Sequence, residues 1–468
     1  MASEESPLLG TPNAELAAEL QHEAVYARFS NAQKRAIVTM VSFAGLIPLF
    51  VSGTFIPSIP QIAKDLHSTG SVVSLAVSIS ILTNAIGTLL WATYSGFYGR
   101  RPVYLCSLAC AAVGSIGVAS ARDVPELLAF RVLQAFGTSS GLSVGMAVIG
   151  DIYKLEERGK ASGIFFGAVL LGPALAPPAG GFAAHYYSWR IMQVILGICG
   201  AVMWLVTFLL LPETTHPGTR GVDKLIESEG KAKWVWLNPF RSLWLFQSPN
   251  ITLTALAGAF SLLTDYALLV PLAYTIGLKY GIDNEAIIGA FFIPSGIGNL
   301  IGALTAGRLS DSVIVKWREK RGGEWVPEDR LRATLLGAGI FTPLSTIVFG
   351  FVTQWVHGWP GIVMDLVCLF VNGLGIDFTL TPIAAYNVDI MHSRSAEVTA
   401  INMAFRGTIL SLCIPGLLPS IDAIGIAATN SIIAVISVIG FIFILAVIRY
   451  GGRMRAWNDV GYSTILDT

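Results

Sequence analysis

An all-α integral membrane protein of about twelve transmembrane helices, in two pseudo-symmetric six-helix bundles, follows from three features of the 468-residue sequence. Hydrophobic residues make up 53% of the chain and charged residues 13%, against roughly 25% charged in soluble domains. Apolar runs of membrane length recur, and the mean hydropathy is +0.65. Basic residues collect in alternate loops. In lipid, only helices and closed barrels satisfy every backbone group. Barrel strands would alternate polar with apolar residues, and these runs do not.

The runs lie near 36–58, 72–94, 102–121, 126–150, 161–184 and 189–211, and then near 249–276, 285–307, 331–353, 360–386, 398–419 and 425–448. At about 1.5 Å per residue most are long enough to cross a bilayer. The expected organisation is a polar N-terminal tail at 1–35, a first bundle at 36–212, a central loop at 213–248, a second bundle at 249–449 and a tail at 450–468. Residues 1–35 lack the apolar centre of a secretory signal, so insertion is expected to begin with the first spanning helix.

Orientation follows from lysine and arginine. Arg28, Lys34, Arg35, Arg100, Arg101, Lys154, Arg158 and Lys160 fall on one face, as do the clusters Arg220 to Arg241, Lys316 to Arg332 and Arg449 to Arg455. The other face holds Lys64, Arg122, Arg190 and Lys279. The positive-inside rule makes the first face cytosolic and puts both termini there, as an even helix count requires.

The halves carry matching features. Each has a basic loop between its second and third helices: Gly99-Arg100-Arg101-Pro102 in one, Arg308-Leu309-Ser310-Asp311 through Arg321 in the other. After each fourth helix comes an aspartate followed by an arginine, Asp151 with Arg158 and Asp389 with Arg394. Either this marks an internal duplication, with substrate held between the halves, or cytosolic charges coincide. With Arg406, these residues read as contacts of a cytosolic gate or as solvated loop charges.

Several segments together resemble the major facilitator superfamily, and within it the fungal twelve-spanner drug:proton antiporter group. They are Tyr94-Ser95-Gly96-Phe97-Tyr98-Gly99-Arg100-Arg101-Pro102 after helix two and Arg131-Val132-Leu133-Gln134-Ala135-Phe136-Gly137 in helix four. In helix five, Gly172-Pro173-Ala174-Leu175-Ala176-Pro177-Pro178-Ala179-Gly180-Gly181 is similar to the antiporter motif. Ser188-Trp189-Arg190, Leu211-Pro212-Glu213-Thr214 and Gly322 through Leu331 add to the likeness. The resemblance implies the major facilitator fold, alternating access and no cofactor or metal. It also implies that Arg131 assists proton transfer. The chain departs from the family where a loop aspartate is usual and Gly96 stands instead; Asp311 holds the equivalent place in the second half.

Ionisable groups inside spanning helices are costly and mark function by default. Asp265 lies mid-helix in the seventh run, Asp377 past the middle of the tenth, and Asp365 toward the outer end of the tenth. With Arg131 they are the candidates for proton coupling or substrate contact; structural pairing is the alternative. In helix five, Gly172, Pro173, Pro177, Pro178, Gly180 and Gly181 should form a close-packed, bent contact face. Ordinary helix packing is the alternative here.

Cys106, Cys110, Cys199, Cys368 and Cys413 sit in apolar runs and read as buried small hydrophobes. No phosphate-binding loop is present, which removes ATP-driven pumping. Six scattered histidines offer no site for a membrane-embedded enzyme. The partners expected are a small-molecule substrate, protons and the bilayer, with no nucleic acid and a monomeric state. Glu4, Leu8 and Leu9 resemble a sorting signal read by an adaptor, so the plasma and vacuolar membranes both stand as locations. The function expected is proton-coupled export of small amphipathic organic molecules. A nutrient symporter or facilitator is the rival.

Overall fold

The computed structural model describes residues 26–462 apart from 232, 392, 393, 459 and 461. The sorting-signal positions Glu4, Leu8 and Leu9 lie outside the described residues. Among the described residues, twelve helices are long and apolar enough to span a bilayer. They are α1 (Asn31–Asp65), α2 (Gly70–Tyr98), α3 (Arg100–Ser120), α4 (Val124–Ile152), α5 (Glu157–Tyr186) and α6 (Trp189–Leu210) in the first half. The second half has α7 (Pro249–Tyr280), α8 (Glu285–Lys320), α9 (Pro327–Trp355), α10 (Trp359–Ile390), α11 (Glu397–Ile424) and α12 (Ile426–Trp457). Each coincides with one apolar run, and all but α6 extend beyond it at one end or both.

Polar caps fix several helix starts. Ser30 and Gln33 form a reciprocal capping box on α1, and Thr69, Asp123, Ser188, Ser248 and Asn284 each accept a backbone N–H from the first turn that follows. Such caps contribute about 1 kcal/mol each. Along the spans the outward faces are apolar. Ile198, Val202, Leu205 and Leu209 of α6 are exposed, as are Ile432, Val435, Ile439 and Ile442 of α12. Their spacing of three and four residues puts each set on one stripe, a surface suited to lipid. Cys106 and Cys199 are exposed rather than buried, and Cys368 alone of the five is buried.

The helices pair alike in the two halves. In the first, α1 packs on α5, α2 on α4, and α3 on α4 and α6; in the second, α7 packs on α11, α8 on α10, and α9 on α10 and α12. The halves meet along two seams, α2 with α11 and α5 with α8.

Both seams close toward the face away from the chain ends, here the far face. A Cβ on Gly181 would lie 2.2 Å from the Glu285 carbonyl oxygen, and one on Gly296 would lie 2.4 Å from the Ala174 Cα. His185 Nδ1 and Glu285 Oε2 add a 2.9 Å side-chain hydrogen bond across the same seam. Nearer the basic face, Gly163 and Gly167 of α5 and Gly307 of α8 have no neighbour within 4 Å of where a Cβ would stand. The α2–α11 seam behaves likewise. Gly407 of α11 abuts Ala85 of α2, and Gly70 at the start of α2 abuts Tyr274 of α7, whereas Gly96 meets nothing. The molecule is sealed at the far face and parted at the basic face.

Between α6 and α7 the chain forms a short surface helix, Gly221–Glu229, and a 3₁₀ segment, Pro239–Gln247. Arg220 donates to both oxygens of Asp223 and holds that carboxyl below its ordinary range.

Candidate transport site and gate

The break in α1 gives Arg131 its acceptor. The first segment of α1 ends at Gly53, and carbonyls of a last helical turn lack helical partners. One of them, Val51, accepts from Arg131 Nη1 at 3.2 Å, and the same nitrogen donates to Gln134 Oε1 at 2.8 Å. The guanidinium stands 4.3 Å over the Phe55 ring, a favourable arrangement for a buried cation. Gln134 Nε2 donates onward to Ser115 and to Gln193, each at 2.9 Å. Arg131 is fully buried, and its network closes within the first half.

In the second half, Asp265 on α7 accepts from Ser295 on α8 at 3.2 Å. Asp377 on α10 lies near enough to Asp265 and to Arg406 on α11 to interact with both through charge. Arg406 Cδ lies where a Cβ on Gly258 would be 3.1 Å away, and Gly302 of α8 admits Asp377 equally closely. Asp265, Asp377 and Arg406 are each partly exposed. Of the three, Arg406 is carried by α11, one of the helices that meet the first half.

Arg406 was expected at the cytosolic gate, and the structure corrects this. Its helix begins at Ser395, so Arg406 sits about 16 Å along it, at membrane depth. Asp365 stands apart from the cluster. It is buried and accepts from Tyr280 and Thr353, each at 3.1 Å, beside Lys279. Asn372, not anticipated from the sequence, donates to Thr264, Ser345 and Thr346 at 3.1 to 3.3 Å and ties α7, α9 and α10 together. A lone amide inside an apolar run was the available signal.

At the basic face the partners differ from those that sequence adjacency suggested. Asp151 pairs with Arg100 at 2.9 Å, while Arg158 donates to the Gly150 carbonyl. Asp389 pairs with Arg330 at 2.6 Å, while Arg394 pairs with Glu397 at 2.8 Å. Each pair joins the start of a third helix to the end of a fourth. Arg100 also donates to Ser95, and Arg330 to Ser310 and to Asp311. Gly96, which matches Asp311, leaves Arg100 without the second carboxylate. Glu213 accepts from the backbone N–H groups of Arg100 and Arg101 at the start of α3, where the helix dipole favours a negative charge. Arg101 itself donates to the Phe208 carbonyl at 2.7 Å. Gly99 has φ +106°, a conformation open to glycine, and a Cβ there would run into the Glu213 carboxylate.

The glycine–proline run lies in a helix that is unbroken from Leu155 to Tyr186 through Pro173, Pro177 and Pro178. Gly172 and Gly180 face Leu49 and Thr54 of α1; Gly181 faces Glu285, and Pro177 and Pro178 face Gly289, all of α8. The run is thus shared between an internal contact and the seam.

The family model described as Major Facilitator Superfamily matches residues 41–412. The chain is 27% identical over 440 residues to the efflux pump radE of Floropilus chiversii, covering 90% of this chain and 80% of the relative. It is 27% identical over 418 residues to citrate exporter 1 of Aspergillus niger, covering 81% and 78%. With the MFS antiporter QDR3 of Candida albicans the identity is 23% over 560 residues, covering 92% and 80%. A bacterial homolog of the human lysosomal transporter Spinster, solved inward-facing and unoccupied, superposes with a TM-score of 0.68 at 15% identity, covering 92% of this chain and 100% of that one. That last likeness is one of fold.

Proposed function

From the premise that this chain belongs to the major facilitator superfamily, and is therefore a membrane transporter, we propose that it exports small amphipathic organic molecules in exchange for protons. The observation that carries this reading is the Asp265–Asp377–Arg406 cluster, partly exposed and held at membrane depth in the second half. Two carboxylates against one guanidinium leave one negative charge in surplus. A proton or a cationic group of the cargo can occupy that place, and each displaces the other. Competition of this kind is what couples inward proton movement to outward cargo movement.

Arg131 supports the same reading from the first half. Its Nε and Nη2 are buried without hydrogen-bond partners, which leaves the donor capacity that a proton-transfer role needs. The basic face is read as cytosolic, so the conformation described here receives cargo from the cytosol. The efflux pump and the antiporter among the relatives support the outward direction. The citrate exporter keeps organic acids within the cargo range.

The test is reconstitution in liposomes with a trapped pH-sensitive dye and an imposed proton gradient, screening amphipathic cations, organic acids and sugars. The expected result is a compound that dissipates the gradient as it moves, with the flux abolished by Asp377→Asn and by Asp265→Asn. Movement of compounds down their own gradients with no proton flux would leave a facilitator instead.

A further inference from the structure

The central loop touches both halves, and it does so at the ends of the two helices that form the α2–α11 seam. On the first half, Trp234 stacks on Tyr98 with ring centroids 5.5 Å apart and lies 5.9 Å from Tyr94. The Tyr98 hydroxyl also accepts from the Val235 backbone N–H at 2.9 Å. Both tyrosines belong to the last turns of α2. On the second half, Ser242 donates to Glu397, Arg394 lies 5.1 Å over the Trp244 ring, and Phe246 packs on Phe405 at 4.6 Å. Arg394 and Glu397 stand at the start of α11, and Phe405 lies about three turns along it, beside Arg406.

The anchors are chemically different from ordinary loop packing. Trp234 remains 74% exposed, so burial does not explain its position; the stacking face and the backbone hydrogen bond of its neighbour do. The opposite anchor combines a charge-assisted hydrogen bond, a cation–π contact and an aromatic pair, spread over the first three turns of α11. Between the anchors runs a short segment. The seven steps from Val235 to Ser242 reach at most about 25 Å when fully extended.

We propose that residues 234–246 are a strap that joins the basic-face ends of α2 and α11 and limits how far the two halves part there. When the halves part, the strap is drawn out between its anchors. When the basic face closes, α2 and α11 approach and the strap slackens. The loop would then set the width of the cytosolic opening, and with it the size of cargo admitted, without touching cargo. The strap is independent of the proposed coupling, because it governs distance and not proton flux.

Double electron–electron resonance tests it. Spin labels go on Gly96→Cys of α2 and Met403→Cys of α11, in a full-length protein whose five native cysteines are replaced. Five Gly/Ser residues inserted between Leu237 and Asn238 lengthen the strap; Trp234→Ala releases one anchor and leaves the loop length unchanged. The expected result for both is a distance distribution whose long edge moves outward, by about 5 Å or more for the insertion. An equal insertion between Gly322 and Gly323, a loop within the second half, should leave the distribution as in the parent. If the central-loop insertion gives the parental distribution, or a shorter one, the strap is refuted. Equal widening by the insertion at 322–323 would refute it too.

Discussion

Gly181→Ala isolates the far-face seal. The added Cβ would stand 2.2 Å from the Glu285 carbonyl oxygen, 3.0 Å from its carbon and 3.2 Å from Gly289 Cα. Carbon–oxygen contacts ordinarily begin near 3.3 Å, so α5 and α8 must separate by about 1 Å where they now touch. Overpacking of this order costs about 1–3 kcal/mol. Only the far-face-sealed state brings these atoms together, so that state alone is penalised, and the balance between the two facing states shifts by about 5- to 150-fold. Labels on Tyr187→Cys and Asp283→Cys, both exposed beside the seam, would report the shift as a growing long-distance population. Gly307→Ala is the control, since nothing lies within 4 Å of its added carbon. A parental distribution for Gly181→Ala, or an equal response from Gly307→Ala, would show that backbone contact at this point does not hold the far face shut.

Two further substitutions probe the second half by thermal unfolding in detergent. Arg330→Ala should lower stability by about 1–3 kcal/mol, since it removes one partner of both Asp389 and Asp311; Arg394→Ala, which keeps both of those contacts, should lower it less. Asn372→Leu should cost about 1–2 kcal/mol. The loss is held to that range because Thr264, Ser345 and Thr346 also donate to carbonyls of their own helices, and an unchanged melting curve would remove Asn372 from the set of residues that hold α7, α9 and α10 together.

The twelve helices were legible because bilayer thickness sets a minimum length for an apolar run, and loop charges sit at the ends of such runs whatever the tertiary packing. The partners of those charges were not. Asp151 and Arg158 are close in sequence, but the chain turns between them, and packing of α3 on α4 delivers Arg100 instead. Arg330 lay within the segment Gly322 through Leu331 that adds to the family likeness, but its partners emerged only once α9 was seen beside α10. Arg406 shows the limit most clearly. Its neighbours in sequence are a phenylalanine and a glycine, and nothing local tells that α10 brings Asp377 to it. Asp265 and Asp377 were legible as costly charges in lipid, whereas Asp365 has the same signature in sequence and a closed set of hydroxyl partners in space.

The two polar networks each end inside their own half: Arg131 through Gln134 to Ser115 and Gln193, Asn372 through three hydroxyls. What crosses between the halves is apolar side-chain packing and close glycine contacts, with His185 and Glu285 at one rim. Each half can therefore tilt as a solid body while its interior hydrogen bonds stay intact. The resistance to tilting is then set by shape, by the closeness of two smooth helix faces and by whatever wets them as they part. A transporter made this way would respond to the thickness and lateral pressure of its bilayer at least as much as to changes deep in either half. Its cycle would speed or slow with the lipid around it while its melting temperature stayed the same.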